Sequence, residues 1–320
     1  MFVRPLIVAL LAAVVSVSSF AEDYPSKPVK LVVGQPAGGS SDALARLVGR
    51  QLEGRLKQTF VIENRPGASG NIASLQVAKS AADGYTLLLT AGPFSINPSL
   101  YSKLPFDTIK DFAPVAQIST SASVLVVNKD HPVNTLEEFI AMAKDAAHPV
   151  AYASSGNGTA QHLAMELLRV KAGLALFHIP YKGGAPAMID LMGGQVKFLM
   201  GNMADVSKHV IAGNMKAIAQ TGSTRFGLLP DVPTLIETGL ADTSTGGWVG
   251  IHVPAGTPPE IVKRLNAEIN AVLDEAEVQD KMAALGFEVK RTTPQEFGTF
   301  VDEQIKSWAE AVMISGAKVD

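Results

Sequence analysis

The sequence predicts an α/β protein of two domains, each a mostly parallel sheet flanked by helices. Three observations carry this. Residues 29–89 alternate strand, helix, strand, helix, strand with short links, the pattern of a parallel sheet covered on both faces. The same strand, small-residue loop and helix start recur from Val150. A late apolar run, Trp248 to Val253, reads as a strand returning to the first sheet. Two strands crossing between two such lobes make a hinge and a cleft. The domains expected are residues 22–121 with 247–320, discontinuous, and residues 122–246.

Residues 1–21 are set apart from this fold. Arg4 is their only charge, Pro5 to Val17 is nearly all apolar, and Ser19-Phe20-Ala21 supplies small residues at −3 and −1 of a cut. That predicts a secretory signal peptide cleaved after Ala21. The apolar run is shorter than the ~20 residues a membrane span needs.

Bulk composition narrows the function. Of 320 residues, 18% are charged, and the formal net charge is −3. Lys and Arg are scattered, without the basic stripe that nucleic acid requires. The chain has no cysteine, which removes disulfides, thiolate metal sites and cysteine nucleophiles. Stability must therefore come from the core.

In order, Tyr24-Pro25-Ser26-Lys27-Pro28 is an extended lead-in, since its prolines disfavour helix. Val29 to Val33 is a buried strand, and Leu44, Leu47, Val48, Leu52 and Leu56 repeat at helical spacing after it. Phe60-Val61-Ile62 and Tyr85 to Leu89 are further strands around a helix over Ile72 to Ser80. Thr90 to Pro105, with Pro93, Pro98 and Pro105, reads as loop, and Phe112 to Ser119 as a strand leaving the first sheet. Val124 to Val127 is a strand, and Thr135 caps a helix with Glu137 and Glu138 in its first turn. Val150 to Ala153, Phe177 to Ile179, Val196 to Met200 and Ala217 to Gln220 are strands separated by helices from Ala160, Ala187 and Asp205. Ile261, Leu265, Ile269 and Leu273 mark a long amphipathic helix, and a final helix starts near Pro294.

Two loops stand out. Leu31-Val32-Val33 runs into Gly34-Gln35-Pro36-Ala37-Gly38-Gly39, then Ser40-Ser41-Asp42 opens a helix. Free N–H groups and the positive end of a helix dipole at such a loop suit an anion. Taken alone, the stretch is equally an ordinary βα turn with a good cap. The second loop, Ser154 to Thr159, repeats the arrangement in the other domain. Ligands of parallel α/β sheets sit outside the carboxyl ends of the strands, so both loops could converge on one anion across the cleft. Neutral N–H groups and hydroxyls suit a carboxylate better than a phosphate, which recruits Arg or Lys. Candidate hydroxyl donors are Ser40, Ser41, Ser154, Ser155 and Thr159; His162, in the first turn of the second helix, could face the cleft or be satisfied locally. Asp42 reads as a cap or loop brace.

Catalytic patterns are missing. No G-x-S-x-G elbow, P-loop lysine or G-x-G-x-x-G fingerprint occurs, and the six histidines never pair at metal-ligand spacing. The expectation is a non-enzyme without cofactor or metal.

Ordered motifs run the length of the chain: Tyr24-Pro25-Ser26-Lys27-Pro28, Pro36-Ala37-Gly38-Gly39 with Asp42, Glu63-Asn64-Arg65-Pro66-Gly67-Ala68, Asp83-Gly84-Tyr85-Thr86-Leu87, Ser155-Gly156-Asn157-Gly158-Thr159 with His162, Pro180-Tyr181-Lys182-Gly183 and Leu229-Pro230-Asp231-Val232-Pro233. Together they resemble the Bug-type, TctC-like solute-binding proteins of tripartite tricarboxylate transporters. The resemblance implies a periplasmic Venus-flytrap fold that captures a small organic carboxylate as a monomer and delivers it to membrane permease subunits. A sensor module presenting ligand to a signalling receptor would use the same closed state, and the sequence leaves both open. The resemblance also assigns ligand contacts: Pro36, Ala37, Gly38, Gly39 and Ser41 in the first loop; Ser155, Gly158, Thr159 and His162 in the second; and Tyr181, Gly183 and Asp205. Thr90 to Ser95, including Phe94, should line the distal part of the pocket.

Overall fold

A computed structural model describes residues 24–222, 224–239 and 246–318. The expected signal peptide lies outside them. The first sheet is opened by β1 (Val29–Val33), α1 (Ser40–Leu56), β2 (Phe60–Asn64), α2 (Asn71–Ala78) and β3 (Thr86–Ala91). β1 pairs in parallel with both β2 and β3, as the short βαβ links require. Leu31, Val32 and Val33 are fully buried, because both faces of the sheet are covered by helices.

The next stretch departs from expectation. Residues 90–105 were expected to be loop, yet α3 spans Gly92–Leu100. Pro93 sits in its first turn, where no N–H is needed and the fixed φ already suits a helix. Phe94, Ile96 and Leu100 are buried, so tertiary packing holds the helix despite Pro98 inside it. β4 (Phe112–Ser121) also differs: it remains in the first sheet, paired antiparallel with β10 (Gly247–Pro254).

After β4 the chain crosses at Ala122 into β5 (Ser123–Asn128), α4 (Leu136–Ala143), β6 (Val150–Ser154), α5 (Ala160–Ala172), β7 (Leu176–Pro180), α6 (Gly184–Met192), β8 (Phe198–Asn202), α7 (Met203–Ile211) and β9 (Met215–Gln220). It then returns through β10 to α8 (Pro259–Leu273), α9 (Ala276–Ala284), β11 (Glu288–Val289) and α10 (Pro294–Ser315). The sheet orders are β11-β4-β10-β3-β1-β2 and β7-β6-β8-β5-β9. Both sheets are mixed: antiparallel pairs occur at β10 and β5, the strands that begin just after each crossing, and between β11 and β4. α9 and β11 are elements the sequence reading did not include.

Close contacts join the lobes in at least two places. Ile96 and Leu100 of α3, Leu163 and Leu167 of α5, and Trp308, Ala311 and Val312 of α10 form one buried cluster. Gly286, at φ +76° in the turn before β11, abuts the start of α7; a Cβ there would lie 2.5 Å from Ala204 Cα. Trp308 is 1% exposed, so Trp308→Ala leaves a large void. It should cost about 3–5 kcal/mol of stability, read as a shifted urea midpoint.

Candidate functional site

Strands β1, β3, β6 and β8 each end at a helix start, and those four starts gather on one cleft between the lobes. Its volume is about 320 Å³. Ser40 and Ser41 of α1, Gly92 and Pro93 of α3, Ala160 and Gln161 of α5, and Met203, Ala204 and Asp205 of α7 line it, with the crossing residues Ser121 to Ser123 and Gly247 to Val249. A roomier groove of about 680 Å³ lies between α1 and α9, but it shares no lining residue with the cleft and is more open to solvent.

The first turns leave N–H groups without intrahelical partners. In α1 the first helical bond runs from Ala43 N–H to Gly39 O, leaving the N–H groups of Ser40 and Ser41. In α5 Leu163 N–H reaches Thr159 O, and Thr159 Oγ1 accepts from His162 N–H, leaving Ala160 and Gln161. In α7 Met203 N–H donates to Ala122 O, leaving Ala204 and Asp205. Each start is the positive end of its helix dipole. No Lys, Arg or His lines the cleft among the described residues, and Asp205 is the one formal charge. Three lining residues also carry buried polar atoms without a hydrogen-bond partner: Gln35 Oε1, Asn97 Oδ1 and Trp248 Nε1. Such orphans cost about 1–3 kcal/mol each unless something polar meets them.

The residues expected at the site divide. Ser41, Gly158, Thr159 and Asp205 line the cleft. Pro36, Ala37, Gly38 and Gly39 do not; they form the exposed outer turn of the first loop. Gly38 N–H is already bonded to Asp42 Oδ2 at 2.9 Å, and Arg46 Nε donates to the same oxygen. The Arg46 hydrogen bond is the main reason the Asp42 carboxyl is held below its usual range. Asp42 therefore braces the loop. Thr90 and Phe94 lie off the cleft wall, inside the first lobe. Thr90 Oγ1 donates to Gly250 O and contacts His252 Nδ1, while Phe94 packs edge-on to Phe112 and tilted against His252. Thr90 is held by β3, where it pairs with Gly250 of β10, and α3, where a loop was expected, turns Phe94 inward and offers Gly92, Pro93, Ile96 and Asn97 to the cleft instead.

In the second lobe, Ser155 Oγ donates to Gln161 Oε1, Tyr181 OH to Asp190 Oδ2 and Gly183 N–H to Ser155 O. None of the three lines the cleft. His162 turns away too: its Nδ1 accepts Gly158 N–H at 3.1 Å, and its ring stacks on His178 at 4.0 Å. His178 Nε2 lies 2.7 Å from Ser154 Oγ, which also accepts Gly156 N–H. The two histidines thus support the second loop from behind. Burial lowers both, His178 to about 4 with His162 adding to the effect, while the Glu166 carboxylate opposes the shift in each. Sequence reasoning did not find Gln161 and Asn202, which sit at the starts of α5 and α7, nor Trp248, Gly286 and Phe287, which reach the cleft only through tertiary packing.

Two α/β lobes hinged by crossing strands around a polar cleft define a solute-binding protein of the periplasmic type. The chain belongs to the tripartite tricarboxylate transporter receptor family, TctC, whose model matches residues 44–316. It is 38% identical over 301 residues to protein BugT of Bordetella pertussis, covering 93% of this chain and 92% of that one. A solved Rhodopseudomonas palustris protein with adipate superposes with a TM-score of 0.80 at 34% identity, covering 93% of this chain and 100% of that chain. MatC of the same organism, with bound malate, gives 0.73 at 31% identity, covering 90% and 100%. The family and its solved members are solute-binding proteins, and this chain is one rather than an enzyme.

The histidine support makes two outcomes measurable. His162→Ala removes the acceptor of Gly158 N–H and should weaken ligand affinity about fivefold, the equivalent of one ordinary hydrogen bond. His162→Asn, whose amide oxygen can replace Nδ1, should restore much of it in calorimetry. Because the folded pKa of His178 lies below its usual 6.5, the unfolded state binds more protons between those values. Its contribution is complete above about pH 6.5 and is lost as pH falls towards about 4. Urea midpoints across that window should fall less steeply in His178→Gln than in the parent.

Proposed function

We propose that this protein binds a small organic acid in the interdomain cleft and hands it to the membrane permease subunits of a tripartite tricarboxylate-type transporter, working in the periplasm as a monomer after its signal peptide is cleaved. One observation carries the reading: four helix N-termini face a single cleft whose wall, among the described residues, holds no cationic side chain. Neutral N–H groups at helix starts, without a cationic side chain beside them, favour a carboxylate. Ser41 and Thr159 stand at opposing starts, so a carboxylate bridging α1 and α5 would draw the lobes together. The relatives solved with adipate and malate support the same ligand class.

A thermal-shift panel of mono-, di- and tricarboxylates, amino acids and neutral sugars tests it. A fitting acid at a hundred times its dissociation constant should add about 2.7 kcal/mol of stability. A panel in which only neutral solutes raise the melting temperature would overturn the carboxylate reading. For delivery, uptake of that acid in cells carrying the cognate permease should vanish when the binding protein is deleted.

A further inference from the structure

We infer that Asp205 selects the ligand: the cleft takes acids that also carry a protonated amine, in preference to plain dicarboxylates of the same length. The inference rests on the carboxylate reading above and adds what the far end of the ligand must be.

Four side chains form a directed relay along the second lobe's wall. Ser155 Oγ donates to Gln161 Oε1 at 3.0 Å, Gln161 Nε2 donates to Asn202 Oδ1, and Asn202 Nδ2 donates to Asp205 Oδ2 at 3.4 Å. A carboxylate can only accept. Asp205 therefore fixes the direction of the whole chain: Asn202 must turn its amide nitrogen towards α7, and its oxygen back towards Gln161. The relay ends on an anion with acceptor capacity remaining, beside the cleft.

Among the described residues no side-chain cation pairs with that anion. Asp42, at the equivalent place in the first turn of α1, shows the contrast. It is 4% exposed, paired with Arg46 and directed at its own loop. Asp205 instead lines the cleft, partly exposed. A negative charge in a first helical turn stabilises the helix, and that effect alone would explain a solvent-facing Asp. It does not explain why, among the described residues, the one formal charge lining the cleft stands there. Two like charges a few ångströms apart repel, and several times more strongly near a protein surface than in bulk water. A second ligand carboxylate near Asp205 meets that penalty, whereas an ammonium gains the attraction. The donors on the opposing first turns, at Ser40 and Ser41, remain for the ligand's carboxylate.

The test compares matched pairs of free acids by calorimetry on the full mature chain: succinate with aspartate, glutarate with glutamate, and adipate with 2-aminoadipate. In any pair that binds, the amino acid should bind at least about tenfold tighter to the parent protein. Asp205→Asn and Asp205→Ala should each reduce that ratio to near one, with circular dichroism and urea midpoint confirming a folded chain. A parent that prefers or equally accepts the dicarboxylate overturns the assignment, as does a preference that survives in both variants. If no member of any pair binds, and other carboxylates also fail, the carboxylate reading itself falls and this inference with it. If other carboxylates bind and all of these pairs fail, the amine preference alone is overturned.

Discussion

The first turn of an α-helix cannot satisfy its own N–H groups, and much of this structure arranges four such turns to face one place. Each follows a strand directly: β1 into α1, β3 into α3, β6 into α5, β8 into α7. The two lobes alone would put two such ends on separate surfaces. The crossing strands bring them opposite each other, because Ala122, between β4 and β5, is tied by its carbonyl to Met203 at the start of α7. The crossing and the cleft wall therefore share the same few residues, Ser121 to Ser123.

The loops behind these turns are held by different chemistry. In the first lobe a charged pair, Asp42 with Arg46, fixes Gly38. In the second lobe an uncharged stack does the equivalent work: Tyr152 on His178 at 5.0 Å, and His178 on His162. Neutral rings suit that place, since a cation there would draw the ligand's carboxylate away from the helix ends. The cost is sensitivity to acid, which the charged brace of the first loop shares only at lower pH.

Much of the fold was legible because it follows period and punctuation. Val29 to Val33, Val150 to Ala153 and the capped helix after Thr135 lie within elements read from local sequence alone. α3 was not legible, since three prolines outweighed an apolar pattern whose meaning comes from Leu163, Leu167 and Trp308 far away in the chain. For the site, the first-turn residues Ser41, Thr159 and Asp205 were readable from helix starts and family resemblance. The direction of His162 was not, because the ring is turned by His178 on another strand. Trp248 and Phe287 reach the cleft only when the late segment returns to the first sheet.

That return has a consequence for assembly. β10 lies between β3 and β4, so the first sheet stays divided until residues 247–254 have emerged. All five strands of the second sheet, β5 to β9, are contiguous in the chain and precede it. As the chain emerges from its N-terminus, the middle lobe can close on local contacts while the outer lobe still waits for its central strand. Long-range pairing of this kind is the slow part of folding. The unjoined edges of β3 and β4 are then the surfaces most in need of protection before the protein is complete.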